Sequence, residues 1–284
     1  MYDLPGFPRL ITIEPTNVCN RDCFYCPRHF MGAPQGFIEL PLYQRLLDEI
    51  AEHPGVSLFL FRRGESLLHK KLPQMLEYAR DKVREMIITT NATLMPPRVA
   101  AALAENIDFI HFSLAVPSKY TEHRGGDYEV TRRNIERFLA LNKRARTQVS
   151  MVATKDTTDA DRTLFLELWK DKVDRIRIYE QHSTDGSFGS LQARKALERQ
   201  PCCKPFTDMV VMWNGHVARC NHDWDGPALG QASQASIADI WKGMTYTKLR
   251  EQHLGLKIED PVCKGCDSWQ TNPMTSELGV TVEN

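Results

Sequence analysis

Between residues 10 and 179 the chain alternates short apolar runs with amphipathic stretches, and that alternation limits the folds open to it. Strands are expected at residues 10–14, 56–61, 86–90, 107–114, 148–154 and 175–179. Helices are expected at 42–52, about 71–84, from Pro97, about 128–144 and 159–169, the first of them stopped by His53-Pro54-Gly55. A strand followed by a helix and then another strand pairs in parallel with its predecessor through a right-handed crossover. The class expected is therefore α/β, in which functional residues gather in the loops after the strands. With 284 residues, 42% of them hydrophobic, the chain can fill one large domain and a smaller one.

Three thiols stand in the first of those loops, where Cys19-Asn20-Arg21-Asp22-Cys23-Phe24-Tyr25-Cys26 has the spacing CxxxCxxC. Three cysteines can hold an iron-sulfur cubane by three corners, which leaves the fourth iron open to a small chelating molecule. Zinc is the alternative, with His29 as its fourth ligand. The chain opens on no secretory signal and has no apolar run long enough to cross a bilayer, so a cytoplasmic location is expected. In that reducing compartment eight cysteines are metal ligands more often than disulfides. Lys+Arg and Asp+Glu are both 36, and no charge excess points to a nucleic acid or a membrane surface.

With Tyr25 as the aromatic residue of the cysteine loop and Thr12-Ile13-Glu14-Pro15-Thr16-Asn17-Val18 before it, the sequence resembles the radical S-adenosylmethionine (SAM) superfamily. The resemblance implies a partial (β/α)6 barrel. Arg62-Arg63-Gly64-Glu65-Ser66-Leu67-Leu68 resembles the family's GGEPLL segment, with Arg63 and Ser66 replacing a glycine and the proline. It implies that Gly64 lets the backbone approach a ligand and that Glu65 accepts a hydrogen bond from the ammonium of SAM. Thr89-Thr90-Asn91-Ala92-Thr93 resembles the TNG(T) loop, shaped by Asn91. His111-Phe112-Ser113-Leu114 resembles the segment whose serine touches SAM, here with Ala115 in place of the aspartate. His123-Arg124-Gly125-Gly126 resembles the RG(G) segment, and Arg124 would hold the SAM carboxylate. A plain turn at Gly64-Glu65, a structural Ser113 and a solvated Arg124 are the alternatives.

Periodicity is lost from 181 to 200, the linker expected between a barrel domain at 1–180 and a second domain at 201–284. There Cys202 and Cys203 precede an apolar run, an Asn214-Gly215 turn and Cys220, a pattern that signals a β-hairpin. A short helix is expected at 237–241, followed by Cys263-Lys264-Gly265-Cys266. One cysteine before the hairpin, one after it and a distal CxxC can close a second [4Fe-4S] cluster, or hold zinc. The stretch resembles the twitch domain, a shortened SPASM extension. The resemblance favours Cys202, Cys220, Cys263 and Cys266 as ligands and leaves Cys203 over, either as packing or as a hydrogen-atom donor to a substrate radical.

As cofactors the resemblance implies a SAM-binding [4Fe-4S] cluster, SAM and an auxiliary [4Fe-4S] cluster. It implies a flavodoxin- or ferredoxin-type electron donor as partner. The 5′-deoxyadenosyl radical would take hydrogen from a small polar substrate, a sugar or aminocyclitol. Dehydrogenation would follow, in the manner of the 2-deoxy-scyllo-inosamine dehydrogenase type, with the auxiliary cluster accepting an electron. The alternatives are epimerisation through Cys203, modification of a peptide, and a non-catalytic iron-sulfur or zinc protein. No leader-binding domain precedes Tyr2-Asp3, which turns the expectation toward the small substrate. His69, Arg62, His182 and Glu180 are position-based candidates for substrate ligands.

Overall fold

The structure, a computed structural model, describes residues 4–182 and 198–271. Six strands, β1 (Leu10–Ile13), β2 (Ser57–Phe59), β3 (Glu85–Thr90), β4 (Phe109–Leu114), β5 (Arg146–Ala153) and β6 (Arg175–Glu180), pair in parallel in chain order. Helices Leu40–Ala51, Leu72–Ala79, Pro97–Asn106, Tyr128–Leu141 and Asp159–Trp169 make the crossovers, so the expected α/β barrel architecture is present. A proline in the first turn starts the first three of these, where its missing N–H is no loss. Thr158 and Asp161 start the last with a reciprocal capping box.

Alternation along the strands separates two faces. Ile11, Leu58, Met86, Ile88, Ile110, Phe112 and Val149 are fully buried beneath the helices. Each such side chain removed from water stabilises the layer by about 1.5–3 kcal/mol. The intervening residues form rows across the concave face: Phe59, Ile87 and Phe109, then Thr89, His111 and Gln148, then Ser113, Ser150 and Arg177. The helix expected to reach residue 144 ends at Leu141, because Asn142 Oδ1 accepts the N–H groups of Arg144 and Ala145 and turns the chain into β5.

The expected hairpin is β7 (Asp208–Val211) and β8 (His216–Ala218), with Gly215 at φ +84 in its turn. It does not stand apart from the barrel. β7 pairs in parallel with β1, with Leu10 opposite Asp208. With β9 (Gly230–Gln231) the hairpin completes a nine-stranded sheet in the order β6-β5-β4-β3-β2-β1-β7-β8-β9. The short helix expected near 237 is Ile237–Lys242, and a helix that periodicity did not announce, Met244–Leu254, follows it. Among the described residues no helix is long and apolar enough to cross a membrane.

The register sets two edges. Cys19, Cys23 and Cys26 follow β1 at the carboxyl edge of the sheet, whereas Cys202 precedes β7 and Cys220 follows the antiparallel β8, both at the amino edge. Glu14, one residue beyond β1 and fully buried, ties the carboxyl edge together. Its Oε1 accepts from Arg63 N at 3.3 Å and its Oε2 from Trp213 N, beyond β7, at 3.4 Å. Arg62, whose side chain is as deeply buried, pairs with it at 3.9 Å. Glu14→Ala leaves that guanidinium without its counter-charge and is expected to lower stability by about 3–5 kcal/mol in urea unfolding. A loss below about 1 kcal/mol would show that the pair does not hold the edge.

Candidate active site

The cysteine loop is closed at its base by the two residues that enter it. Thr16 Oγ1 donates to Gly36 O at 2.6 Å, and Asn17 takes Gly36 N on its Oδ1 while its Nδ2 donates to Pro34 O. Within the loop, charge on Cys23 raises the pKa of both Cys19 and Cys26, so the three thiols lie in one electrostatic neighbourhood. Burial is the larger cause and pushes Cys19 up to about 11. Thiols placed so are deprotonated by a partner that brings positive charge, as cluster iron does. His29, the alternative zinc ligand, is engaged elsewhere: its Nε2 donates to Cys23 O at 3.1 Å and its Nδ1 lies 3.2 Å from Asp22 Oδ1.

The loop after β2 packs onto the cysteine loop. A Cβ at Gly64 would overlap the carbonyl oxygens of Thr16 and Val18, and Glu65 N donates to Val18 O at 2.8 Å. Gly64 therefore permits backbone to meet backbone, a role beyond the ligand approach expected of it. Glu65 is buried, and burial pushes its carboxyl pKa up. Its Oε1 accepts from Leu67 N and Thr90 Oγ1, and its Oε2 from Asn91 N at 2.7 Å. The loop after β3 is thus hung on Glu65. Asn91 then points Nδ2 at Asn20 Oδ1 and, at 3.9 Å, at Cys19 Sγ. Arg21, which no motif announced, joins this loop to the next by donating to Thr93 Oγ1 and Gly125 O.

Arg124 is buried beneath the cysteine loop, where Nη1 donates to Tyr25 Oη at 2.7 Å and its carbonyl oxygen lies 3.9 Å from Cys23 Sγ. Its Nε is buried with no partner. An unpaired guanidinium N–H of a residue hydrogen-bonded to the cysteine loop fits an anionic group such as the SAM carboxylate. Ser113 lies on the concave face, one row beyond His111. Sequence reasoning passed over His111 itself, which faces Thr89 Oγ1 through Nδ1 and Ser150 Oγ through Nε2. Burial, and then the charge of Arg124, push His111 down to about 4, so its ring is neutral at pH 7. A cavity along the concave face is lined by His111, Gln148, Thr89, Phe59, Phe61 and Tyr179.

Of the position-based candidates, Arg62 pairs with Glu14 and donates to Asp223 O. His69 Nε2 faces Ile38 O at 3.0 Å, Glu180 pairs with Arg162, and His182 pairs with Asp267. The structure does not bring these four together. Arg63, the departure from the family's glycine, donates to Asp223 O and Trp224 O in the loop that follows Cys220.

At that second site Cys202, Cys220, Cys263 and Cys266 line one cavity. Burial pushes Cys202 up to about 12 and Cys220 to about 11, and burial, then charge on Asp260, Cys220, Cys266 and Cys202, pushes Cys263 up as well. Three thiols that resist ionisation, with Cys266 lining the same space, suit a multi-iron centre. Among the described residues no three His, Cys, Asp or Glu converge on the position of a single metal ion. Asp260 caps the turn that carries Cys263, and Arg219 donates from Nε to Asp260 Oδ2 and from Nη1 to Asp223 Oδ2. Cys203 does not line the cavity: it is half-buried, and the groups acting on its thiol are Lys204, Asp208 and Thr207.

Residues 13–168 match the profile of the Radical SAM superfamily. The chain belongs to that superfamily. Residues 202–267 match the SPASM profile, an iron-sulfur cluster-binding domain. The protein is therefore a radical SAM enzyme that uses a SAM-binding [4Fe-4S] cluster, SAM and an iron-sulfur cluster in its second domain. The SAM-dependent 2-deoxy-scyllo-inosamine dehydrogenase of Niallia circulans is 24% identical over 274 residues, 91% of this chain and 92% of that protein. A probable GTP 3′,8-cyclase of Methanococcus vannielii is 30% identical over 142 residues, 47% of this chain, and the match spans 46% of the cyclase, about half its length. Solved structures that share the fold include the following two. SuiB of Streptococcus suis bound to precursor peptide SuiA has a TM-score of 0.70 at 16% identity, covering 87% of this chain and 67% of that one. BtrN in complex with AdoMet and 2-DOIA has a TM-score of 0.59 at 20% identity, covering 89% and 88%.

Two outcomes are expected. Gly64→Ala forces the β2 loop off the cysteine loop, costs about 1–3 kcal/mol, and lowers the iron content toward that of the second cluster alone. Unchanged iron would count against the backbone contact. His111 has a folded pKa below its unfolded value of about 6.5, so between pH 6.5 and 4 the unfolded chain binds more protons. Its contribution, up to about 3 kcal/mol, is present above pH 6.5 and lost as the pH falls toward 4. Urea unfolding at pH 7.5 and pH 5 should show a smaller difference for His111→Asn than for wild type.

Proposed function

We propose that this enzyme dehydrogenates a small polar substrate, an aminocyclitol or a sugar. The observation that carries the reading is the arrangement of two thiol sites at opposite edges of one sheet, with the polar row Thr89, His111 and Gln148 on the concave face between them. The relative that matches across 91% of the chain is a dehydrogenase of this kind, which supports it. When bound, SAM and the first cluster supply a 5′-deoxyadenosyl radical that takes a hydrogen atom, and the second cluster supplies an acceptor for the electron that leaves with a proton.

The residues divide the work. Cys19, Cys23 and Cys26 hold the first cluster, with Tyr25 packed beside it and hydrogen-bonded to Arg124. Arg124 Nε–H receives the SAM carboxylate, Glu65 Oε2 retains acceptor capacity for the ammonium, and Ser113 offers a hydroxyl from the concave face. Gly64 holds the loop that carries Glu65. Cys202, Cys220, Cys263 and Cys266 hold the second cluster. Thr89, His111 and Gln148 meet the hydroxyl and amino substituents of the substrate, while Phe59 and Phe61 form an apolar wall. The surroundings of Cys203, an ion pair between Lys204 and Asp208 and the Thr207 hydroxyl, favour packing over hydrogen donation. Reduction by a flavodoxin- or ferredoxin-type protein completes the proposal.

Reductive turnover in deuterium oxide with aminocyclitols, sugars and peptides checks this. The expected product is lighter than the substrate by two hydrogens, appears with 5′-deoxyadenosine, and is formed equally by Cys203→Ala. Solvent deuterium in recovered substrate, lost in Cys203→Ala, would make the enzyme an epimerase instead. Turnover confined to peptides would remove the small substrate.

A further inference from the structure

His253, on the helix Met244–Leu254, is almost wholly buried and lines the same cavity as Cys202, Cys220, Cys263 and Cys266. Its Nδ1 accepts a hydrogen bond from Cys202 N at 3.3 Å. A ring nitrogen that accepts an N–H carries no proton of its own, so the ring is neutral and holds a single proton. With Nδ1 acting as acceptor, that proton sits on Nε2. Nε2 is buried and has no partner. A buried N–H without a partner carries an uncompensated desolvation cost, and native interiors rarely keep one without a use. Nδ1 faces the backbone of Cys202, and the opposite side of the ring carries Nε2.

We propose that His253 Nε2–H donates a hydrogen bond to a sulfur of the auxiliary cluster and thereby raises its reduction potential. The inference rests on Cys202, Cys220, Cys263 and Cys266 being the ligands of that cluster. Hydrogen bonds to cluster sulfurs stabilise the more negative, reduced state, so a cluster with this donor takes an electron more readily. His253 is a positioning and tuning residue, and it touches neither SAM nor substrate.

The test uses the full chain with Cys19, Cys23 and Cys26 all changed to alanine, reconstituted anaerobically so that only the auxiliary cluster remains. Two substitutions separate the roles of the ring. His253→Asn keeps an amide oxygen near Nδ1 for Cys202 N and removes the Nε2 donor. His253→Gln offers an amide N–H near Nε2 and removes the acceptor. An EPR-monitored redox titration should show His253→Asn more negative, with electron affinity about tenfold weaker, or about 59 mV for one electron, and His253→Gln close to the parent. The exchangeable deuteron coupled to the reduced cluster after transfer to deuterium oxide should disappear in His253→Asn. An unchanged potential and an unchanged deuteron signal in His253→Asn, with iron content equal to the parent, overturn the hydrogen bond. A folded triple-alanine chain that takes up no iron overturns the ligand reading beneath it, which is a different result. If the triple-alanine chain does not fold, the same titration on the otherwise intact enzyme follows the signal that Cys220→Ala abolishes. A negative shift of that signal in His253→Asn then supports the hydrogen bond, and an unchanged potential overturns it.

Discussion

A carboxylate in the dry interior cannot stand alone, and Glu14 at the end of β1 is placed so that its partners must come to it. Arg62 brings a counter-charge from the β2 loop, Arg63 brings a backbone N–H, and Trp213 brings another from beyond β7. Desolvation is the first cause acting on Arg62, and the charge of Glu14 is the first that opposes it. Because the strands on either side of β1 are drawn to one point, the loops that follow them have a common floor. The cysteine loop, the Gly64-Glu65 loop and, through Glu65, the Thr90–Asn91 loop are all built on it.

The same arginines carry the connection to the other edge. Arg62 and Arg63 reach the carbonyl of Asp223, whose carboxylate is held by Arg219, which also holds Asp260 beneath Cys263. Buried guanidinium groups suit this task, since five fixed donors can serve several carbonyls and carboxylates at once. A continuous run of hydrogen bonds therefore joins the β2 loop to Arg219 and Asp260 beside the second thiol cavity.

Some of the site was legible because its chemistry is local. CxxxCxxC needs no tertiary information to be a cluster loop, and Asn214-Gly215 between apolar runs is a hairpin wherever it occurs. Arg63 was legible only as a departure from a familiar pattern. Its use, a bond to a loop 160 positions away, depends on where β7 docks. Ala92 shows the same limit on a smaller scale: it adopts φ 55, a conformation for which the family pattern uses glycine, and it is held there by the Thr90 hydroxyl and its neighbours. Helix Met244–Leu254 escaped notice because its buried residues, Tyr246, Leu249, Arg250 and His253, mix apolar with polar types. Arg250 stacks over Trp241 and Tyr246, and no periodicity of hydrophobic residues records that.

By itself the sequence determined the parallel order of the first six strands, the position of the first three thiols at a strand end, and the presence of a second cysteine set around a hairpin. Those features follow from short-range rules, namely alternation, crossover handedness and turn chemistry. The tertiary structure alone decided that the hairpin joins β1 in parallel, that the two thiol sites face opposite edges of one sheet, and that Arg124 Nε and His253 Nε2 remain without partners. The physical reason is that register, burial and hydrogen-bond satisfaction are set by neighbours distant in the chain, and the unpaired donors at the two sites exist only once those neighbours have closed around them.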